Sequence, residues 1–311
     1  MIPLSMVSIL VPVYNAAPYL RECVDSLTGQ SYSDLQIVMI NDGSTDDSWA
    51  IMKELAAKDS RIEIYTQPNC GVAATRNSLL DKVKGDFVLF VDSDDWIKLD
   101  TIETLIREQE KADYDIVMFR LAGPPRANEC YDQDKVIKKF LEHTTFRGSL
   151  CDKLVKSSLY KGLRIDESVS YGEDTLLVWQ VLQRVSSVSS LNNELYYYRV
   201  NENSLSRQHF NGMKLSSYTA WDAITRDVET DWPHYKELAH ARFACEMTLI
   251  LRDAISSDYR INDGVRLLQK EIKRDHKYIK RSGITSTKMA VFAWLVSHNY
   301  RLTGYLYRFL K

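Results

Sequence analysis

The chain has 311 residues, 45% of them hydrophobic and 26% charged, which suits one large or two ordinary soluble globular domains with ample core. Its 40 lysines and arginines against 42 acidic residues leave a net charge of -2, without the basic excess of a general nucleic-acid binder. Five cysteines form no C-x-x-C pair and leave one over, no apolar run reaches membrane-span length, and the N-terminus lacks a signal-type segment; the expected address is therefore the cytosol, with free thiols.

Residues 7–12 predict a short buried strand ending in Pro12-Val-Tyr-Asn15. Leu20, Cys23, Val24 and Leu27 then recur at helical spacing. Residues 35–40 predict a second strand that runs into Asn41-Asp-Gly-Ser-Thr-Asp46. Glycine there permits a sharp turn, and Ser44 or Thr45 can cap a helix carrying Trp49, Met52, Leu55 and Ala56. Residues 61–66 predict a third strand, 71–83 a third helix, 101–111 a fourth and 114–120 another strand.

Between these lies residues 87–91, a continuous apolar run of the kind buried on both faces of a sheet. It stops on Asp92, Asp94 and Asp95. Three carboxylates at such a junction repel one another unless a cation sits among them, and a hard divalent metal with a diphosphate supplying further oxygens answers that charge. An Asp-rich turn leading into the helix at Thr101 is the plainer reading of the same residues.

After Gly123-Pro-Pro125 the alternation breaks, and residues 124–150 fit no clear element. Residues 157–163 and 173–185 read as helices and 195–199 as a strand. From about 211 the pattern is helical, with breaks near Trp232-Pro233, Ser256-Ser257 and Ser282-Gly283. The expected architecture is an α/β domain over residues 1–210, a mostly parallel sheet flanked by helices, followed by a helical C-terminal module over 211–311. Ligands of such sheets bind beyond the carboxyl ends of the strands, where the polar clusters after Leu10, Ile40 and Val91 all fall. In the tail, Leu302, Leu306, Phe309 and Leu310 share one helical face near Arg301, Tyr305 and Arg308. That face suits an interfacial helix at a lipid surface and packing against protein equally well.

Val11-Pro-Val-Tyr-Asn15, Asn41-Asp-Gly-Ser-Thr-Asp46, Gly71-Val-Ala-Ala-Thr-Arg-Asn77 and Asp92-Ser-Asp-Asp95 come in an order and spacing that closely resembles family 2 glycosyltransferases. So do Asp152-Lys-Leu154, Tyr171-Gly-Glu-Asp174, Tyr196-Tyr-Tyr-Arg199 and Asn203-Ser204, giving coverage of roughly residues 6 to 210. The resemblance implies a GT-A nucleotide-sugar fold, inverting chemistry, and a UDP-sugar donor bound with Mn²⁺ or Mg²⁺. It also implies a glycan or lipid-linked glycan acceptor, in polysaccharide biosynthesis at the inner face of a membrane. By position, Pro12, Tyr14 and Asn15 would line the nucleotide pocket and Asp42 would accept the uracil imide N–H. Arg76 would lie near the diphosphate, although a solvated helix cation is an equal reading. Asp92 matches the ribose-contacting aspartate that helps position the metal, and Asp94 the direct metal ligand. Ser93 and Asp95 would face the donor or support their neighbours. Asp174, paired with Glu173 at a helix start, matches the catalytic base. Lys153, Arg199 and Arg207 are candidate diphosphate or acceptor contacts, and His209 a candidate further metal ligand. A sugar nucleotidyltransferase would place a glycine-rich loop after the first strand, where Pro-Val-Tyr-Asn stands. A non-catalytic nucleotide-sugar-binding scaffold at a membrane is the rival of another class, and the intact Asp92, Asp94 and Asp174 speak against it.

Overall fold

The computed structural model describes residues 5–121, 127–146, 148–199 and 210–309. Contacts divide the chain into two compact units, one with the described residues up to 137, 148–167 and 177–199, the other with 138–146, 168–176 and 210 onward.

The first unit is built on β1 (Val7–Val13), β2 (Leu35–Asp42), β3 (Ile62–Gln67) and β4 (Phe87–Phe90), joined by α1 (Leu20–Thr28), α2 (Ser48–Ala56) and α3 (Val72–Leu80). Every residue of β2 and β4 is buried; β4 is apolar throughout, and β2 buries Gln36, Asn41 and Asp42 along with its apolar residues. α1 buries one face, with Leu20, Cys23, Val24 and Leu27, whereas α3 is buried at every residue from Ala73 to Asn77. Further along come a two-residue β5 (Trp96–Ile97), α4 (Thr101–Glu110), β6 (Ile116–Arg120), β7 (Glu129–Asp132), α5 (Gln133–Glu142), β8 (Lys153–Lys156), α6 (Glu173–Leu182), β9 (Ser187–Glu194) and a two-residue β10 (Tyr196–Tyr197). The eight-stranded sheet runs β3-β2-β1-β4-β8-β6-β9-β7, while β5 pairs only with β10. Strands β3, β2, β1 and β4 are mutually parallel, β8 opposes both its neighbours, β9 is parallel to β6, and β7 is an antiparallel edge. The strand order reverses direction at β1 and β4, which makes their carboxyl ends the switch point where such sheets open a crevice.

Several expectations need correction. Residues 157–163 are not a full helix but one 3-10 turn, Ser157–Tyr160, cut short before Gly162 at φ +74°. The unplaced stretch contains β7 and α5, whose Val136, Ile137, Phe140 and Leu141 form a buried stripe. The strand expected over 195–199 shrinks to β10, because the Arg199 N–H bonds to a side chain instead of a ladder. β9 went unrecognised because its sequence is Ser-Val-Ser-Ser-Leu-Asn-Asn-Glu; Ser189 and Ser190 are nonetheless buried, and the Ser189 hydroxyl donates to Glu108 Oε1 at 2.8 Å.

The second unit is helical: α7 (Ser217–Asp231), α8 (Lys236–Ser256), α9 (Asp263–Ser282), α10 (Thr287–His298) and α11 (Tyr300–Phe309). The three expected breaks coincide with the ends of α7, α8 and α9, the last on Gly283 in the left-handed conformation. Arg242 of α8 is buried and donates to the carbonyls of Leu141 and Glu142, each at 2.9 Å, satisfying the orphan end of α5. His240 ties three helices together: Nδ1 meets Asp275 Oδ2 and Nε2 meets Glu229 Oε1, both at 2.9 Å. The Asp275 hydrogen bond leads in raising the His240 pKa above 6.5, with Glu229 adding to it against burial.

A raised folded-state pKa means the stabilisation is fully present below about pH 6.5 and lost as pH climbs through the folded value. Melting temperatures of the chain and of His240→Gln should therefore differ most near pH 6 and converge toward pH 9 (about 2.5 units above an ordinary histidine). A gap that stays constant across that range would contradict a charged His240 clamp.

Candidate active site

The loop after β1 and the loop after β2 brace each other. Asn15 takes φ +48°, and its N–H donates to Ser44 Oγ at 3.0 Å while its Oδ1 accepts from the Thr45 N–H at 2.8 Å. Gly43 is obligatory at φ +68°, since a Cβ there would stand 2.6 Å from the Asn69 nitrogen. Pro12 sits near the end of β1, and Tyr14 beyond it is half exposed.

Asp42 closes β2 and is buried. Oδ1 accepts from Gln67 Nε2 and the Cys70 N–H, and Oδ2 from the Gly71 N–H, all at 3.0 Å. Those last two amides precede α3, so the carboxylate sits at a helix N-terminus. Burial alone would raise its pKa; the hydrogen bonds from Gln67 and Cys70 prevail and hold it below the ordinary value. The group is an ionised acceptor at neutral pH.

At the end of β4 the three aspartates diverge. Asp92 and Asp94 are partly exposed, whereas Ser93 and Asp95 are buried. Both Asp95 oxygens are engaged: Oδ2 accepts from the Tyr196 hydroxyl at 2.6 Å and Oδ1 from the Arg199 N–H at 2.7 Å. Burial leads in pushing the Asp95 carboxyl up to about 7, helped by the charges of Asp92 and Asp94 and opposed by the two hydrogen bonds. The Tyr196 hydroxyl also accepts from the Asp92 N–H at 3.2 Å. Arg199 Nε donates to the Asp94 carbonyl at 2.9 Å, and its guanidinium pairs with Glu22 between the rings of Trp96 and Tyr19, 4.7 and 5.0 Å from their centroids. Arg76 is buried in α3, not solvated, with Nη2 3.6 Å from Asp92 Oδ1.

Lys153, at the start of β8, is buried with its ammonium against the Asp152 carboxylate and the Ser149 carbonyl. Glu173 and Asp174 belong to the helical unit and open α6. Glu173 is buried; Asp174 Oδ1 accepts from the Thr175 N–H at 2.7 Å, after Gly172 at φ +88°. Asn203, Ser204, Arg207 and His209 lie outside the described residues.

Among the described residues no group of three His, Cys, Asp or Glu side chains forms a metal cage. Both Asp95 oxygens are engaged by Tyr196 and Arg199, while Asp92 and Asp94 at the same strand end are partly exposed. An all-oxygen pair fits a hard cation that takes its other ligands from phosphate and water. Tyr196, Gln67 and Cys70 were not among the expected site residues. The Tyr196-x-x-Arg199 motif is the one sequence trace of Tyr196, since 101 residues separate it from Asp95, and no motif marks Gln67 or Cys70.

The model of Glycosyl transferase family 2 matches residues 8–160 of the chain. The chain is 36% identical over 262 residues to glycosyltransferase GlyA of Streptococcus pneumoniae serotype 4, covering 78% of this chain and 38% of GlyA. It is 33% identical over 220 residues to the uncharacterized glycosyltransferase EpsJ of Bacillus subtilis, covering 66% and 63%. The chain thus spans less than two thirds of either relative. Among solved structures it resembles S. aureus TarS residues 1–349 in complex with UDP-GlcNAc, with TM-score 0.75, 19% identity and coverage of 97% and 91%. That likeness carries the fold, and the GT-A expectation holds.

Tyr196→Phe leaves the Asp92 amide and one Asp95 oxygen without their shared hydroxyl, so a loss of about 1–3 kcal/mol in denaturant unfolding is expected. An unchanged midpoint would mean the hydroxyl does not hold the aspartate loop.

Proposed function

We propose that the chain catalyses inverting transfer of a hexose or N-acetylhexosamine from a UDP-sugar to a hydroxyl of a glycan or lipid-linked glycan, in polysaccharide biosynthesis at the cytoplasmic side of a membrane. The observation that carries this reading is the convergence of Asp42, which ends β2, with Asp92 and Asp94, which follow β4, at the carboxyl ends of the two strands that flank β1, with Arg76 of α3 beside Asp92. Two ladder spacings are roughly 10 Å, a span that a uridine diphosphate bridges.

In this reading Asp42 recognises the base. Its Oδ2 carries one hydrogen bond, so acceptor capacity remains for an imide N–H. Pro12, Tyr14 and Asn15 border the uridine, with Asn15 holding the loop's shape through Ser44 and Thr45. Asp92 and Asp94 would hold Mn²⁺ or Mg²⁺, which supplies positive charge to the departing diphosphate when bound. Arg76 adds a fixed guanidinium beside Asp92, while Ser93 and Asp95 keep the loop in shape. Lys153, engaged by Asp152, supports the neighbouring strand. His209 would complete the ligand set.

Asp174 would take the proton from the acceptor hydroxyl as that oxygen attacks the sugar carbon opposite the diphosphate. It stands in the first turn of α6, and the Thr175 N–H orients its carboxylate. Glu173, buried beside it, is assigned to the same motif.

UDP and UDP-sugars, in the presence of Mn²⁺, should raise the melting temperature, because a ligand at 100 times its Kd stabilises by about 2.7 kcal/mol. EDTA, Asp42→Ala and Asp94→Ala should each diminish the rise. Asp174→Asn should retain the shift while transfer falls by about 10²–10⁴-fold. A preference for GDP- or dTDP-sugars would overturn the donor assignment, and undiminished transfer in Asp174→Asn would overturn the base.

A further inference from the structure

The chain leaves an amphipathic surface of its last two helices uncovered. On α10, Val291 and Trp294 are exposed; on α11, Leu302, Tyr305 and Leu306 are exposed, Leu302 by 52% and Tyr305 by 65%. Packing uses other positions: Ala293, Val296, Tyr300 and Thr303 are buried, and Phe292 meets the ring of Tyr307 with centroids 5.8 Å apart. Leu302 and Leu306, which suited lipid and protein equally in the sequence, are thus exposed among the described residues.

Charge supplies the second observation. From His276 to the last residue there are seven lysines and arginines and no aspartate or glutamate, in a chain whose net charge is -2. Lys288 stands one turn before Val291 and Arg301 directly before Leu302; both are exposed, and neither pairs with an acid among the described residues. A second copy docking through the same patch would bring cation against cation. A nucleic acid would meet the charge and leave the aliphatic side chains in water. An anionic bilayer answers both, with tryptophan, tyrosine and leucine at the boundary between headgroups and acyl chains and basic side chains at the phosphates.

We propose that the outward faces of α10 and α11 form a peripheral docking surface for anionic phospholipid. No helix among the described residues is long and apolar enough to cross a membrane, so these helices would lie in the interface. The proposal deepens the membrane-side placement of the proposed function but rests on exposure and charge, independently of the transfer chemistry.

The test is co-sedimentation of the full chain with vesicles of phosphatidylcholine alone or mixed with phosphatidylglycerol, at low and high salt. Binding is expected to the anionic vesicles only, and to fall about tenfold at high salt. Trp294→Glu combined with Leu306→Glu should reduce it by at least about tenfold, with the melting temperature unchanged because both side chains are exposed. The lipid and salt dependence of the unmodified chain tests the idea even where a variant folds poorly. Equal binding to both vesicle types, no binding, or binding that the double variant preserves would each overturn it. So would a concentration-dependent dimer, without vesicle binding, that the double variant dissociates. Vesicle binding by a chain that ignores every nucleotide-sugar would sink the transferase reading and leave this one standing.

Discussion

Like-charge repulsion at the end of β4 is the constraint on which the site depends. A buried strand delivers Asp92, Asp94 and Asp95 to one loop, and the fold meets that burden by giving each acid a different fate. Asp95 is drawn into the interior and held by Tyr196 and Arg199. Asp92 has the Arg76 guanidinium beside its carboxylate and Tyr196 on its amide. Asp94 is braced through its backbone carbonyl by Arg199. Burial sends the one carboxyl toward neutrality that the loop keeps inside, because the charged form is the one that loses most on leaving water.

Asp42 is the counter-case. It is also buried at the end of a strand, yet its pKa moves down. The difference is the number of fixed donors: two backbone amides before α3 and the Gln67 amide aim at it. The carboxyl end of β2 therefore carries an ionised acceptor, and two strands away the end of β4 carries a cluster of three acids. In the proposed function, the first would recognise a neutral base and the second would take part in holding a polyanion.

The helical unit uses buried charge for a different purpose. Arg242 satisfies the carbonyls that end α5, and His240 links α7, α8 and α9 through Glu229 and Asp275. Each polar group sits among partners that would be left unsatisfied without it, so these contacts select one packing of amphipathic helices whose apolar stripes alone would permit several.

The alternation of apolar runs with helical stripes was enough to define β1, β2, β4 and the helices between them, since burial on both faces leaves no other pattern. The motifs at the strand ends and the helix breaks at 232, 256 and 282 were also legible, because turn and cap chemistry is local. What the sequence could not disclose were relations between distant residues. β9 is a serine-rich strand that only its neighbours bury, and β8 has only Leu154 and Val155 between two lysines, with no apolar run to mark it. Arg76 read equally well as a solvated cation until α3 turned it inward beside Asp92. Asp95 looked like Asp92 and Asp94 until Tyr196 and Arg199, 101 and 104 residues away, reached its two oxygens. Residue type and spacing determine which chemistry a strand end can offer; which carboxylate stays available is decided by desolvation and hydrogen-bond supply, and those exist only once the chain has folded.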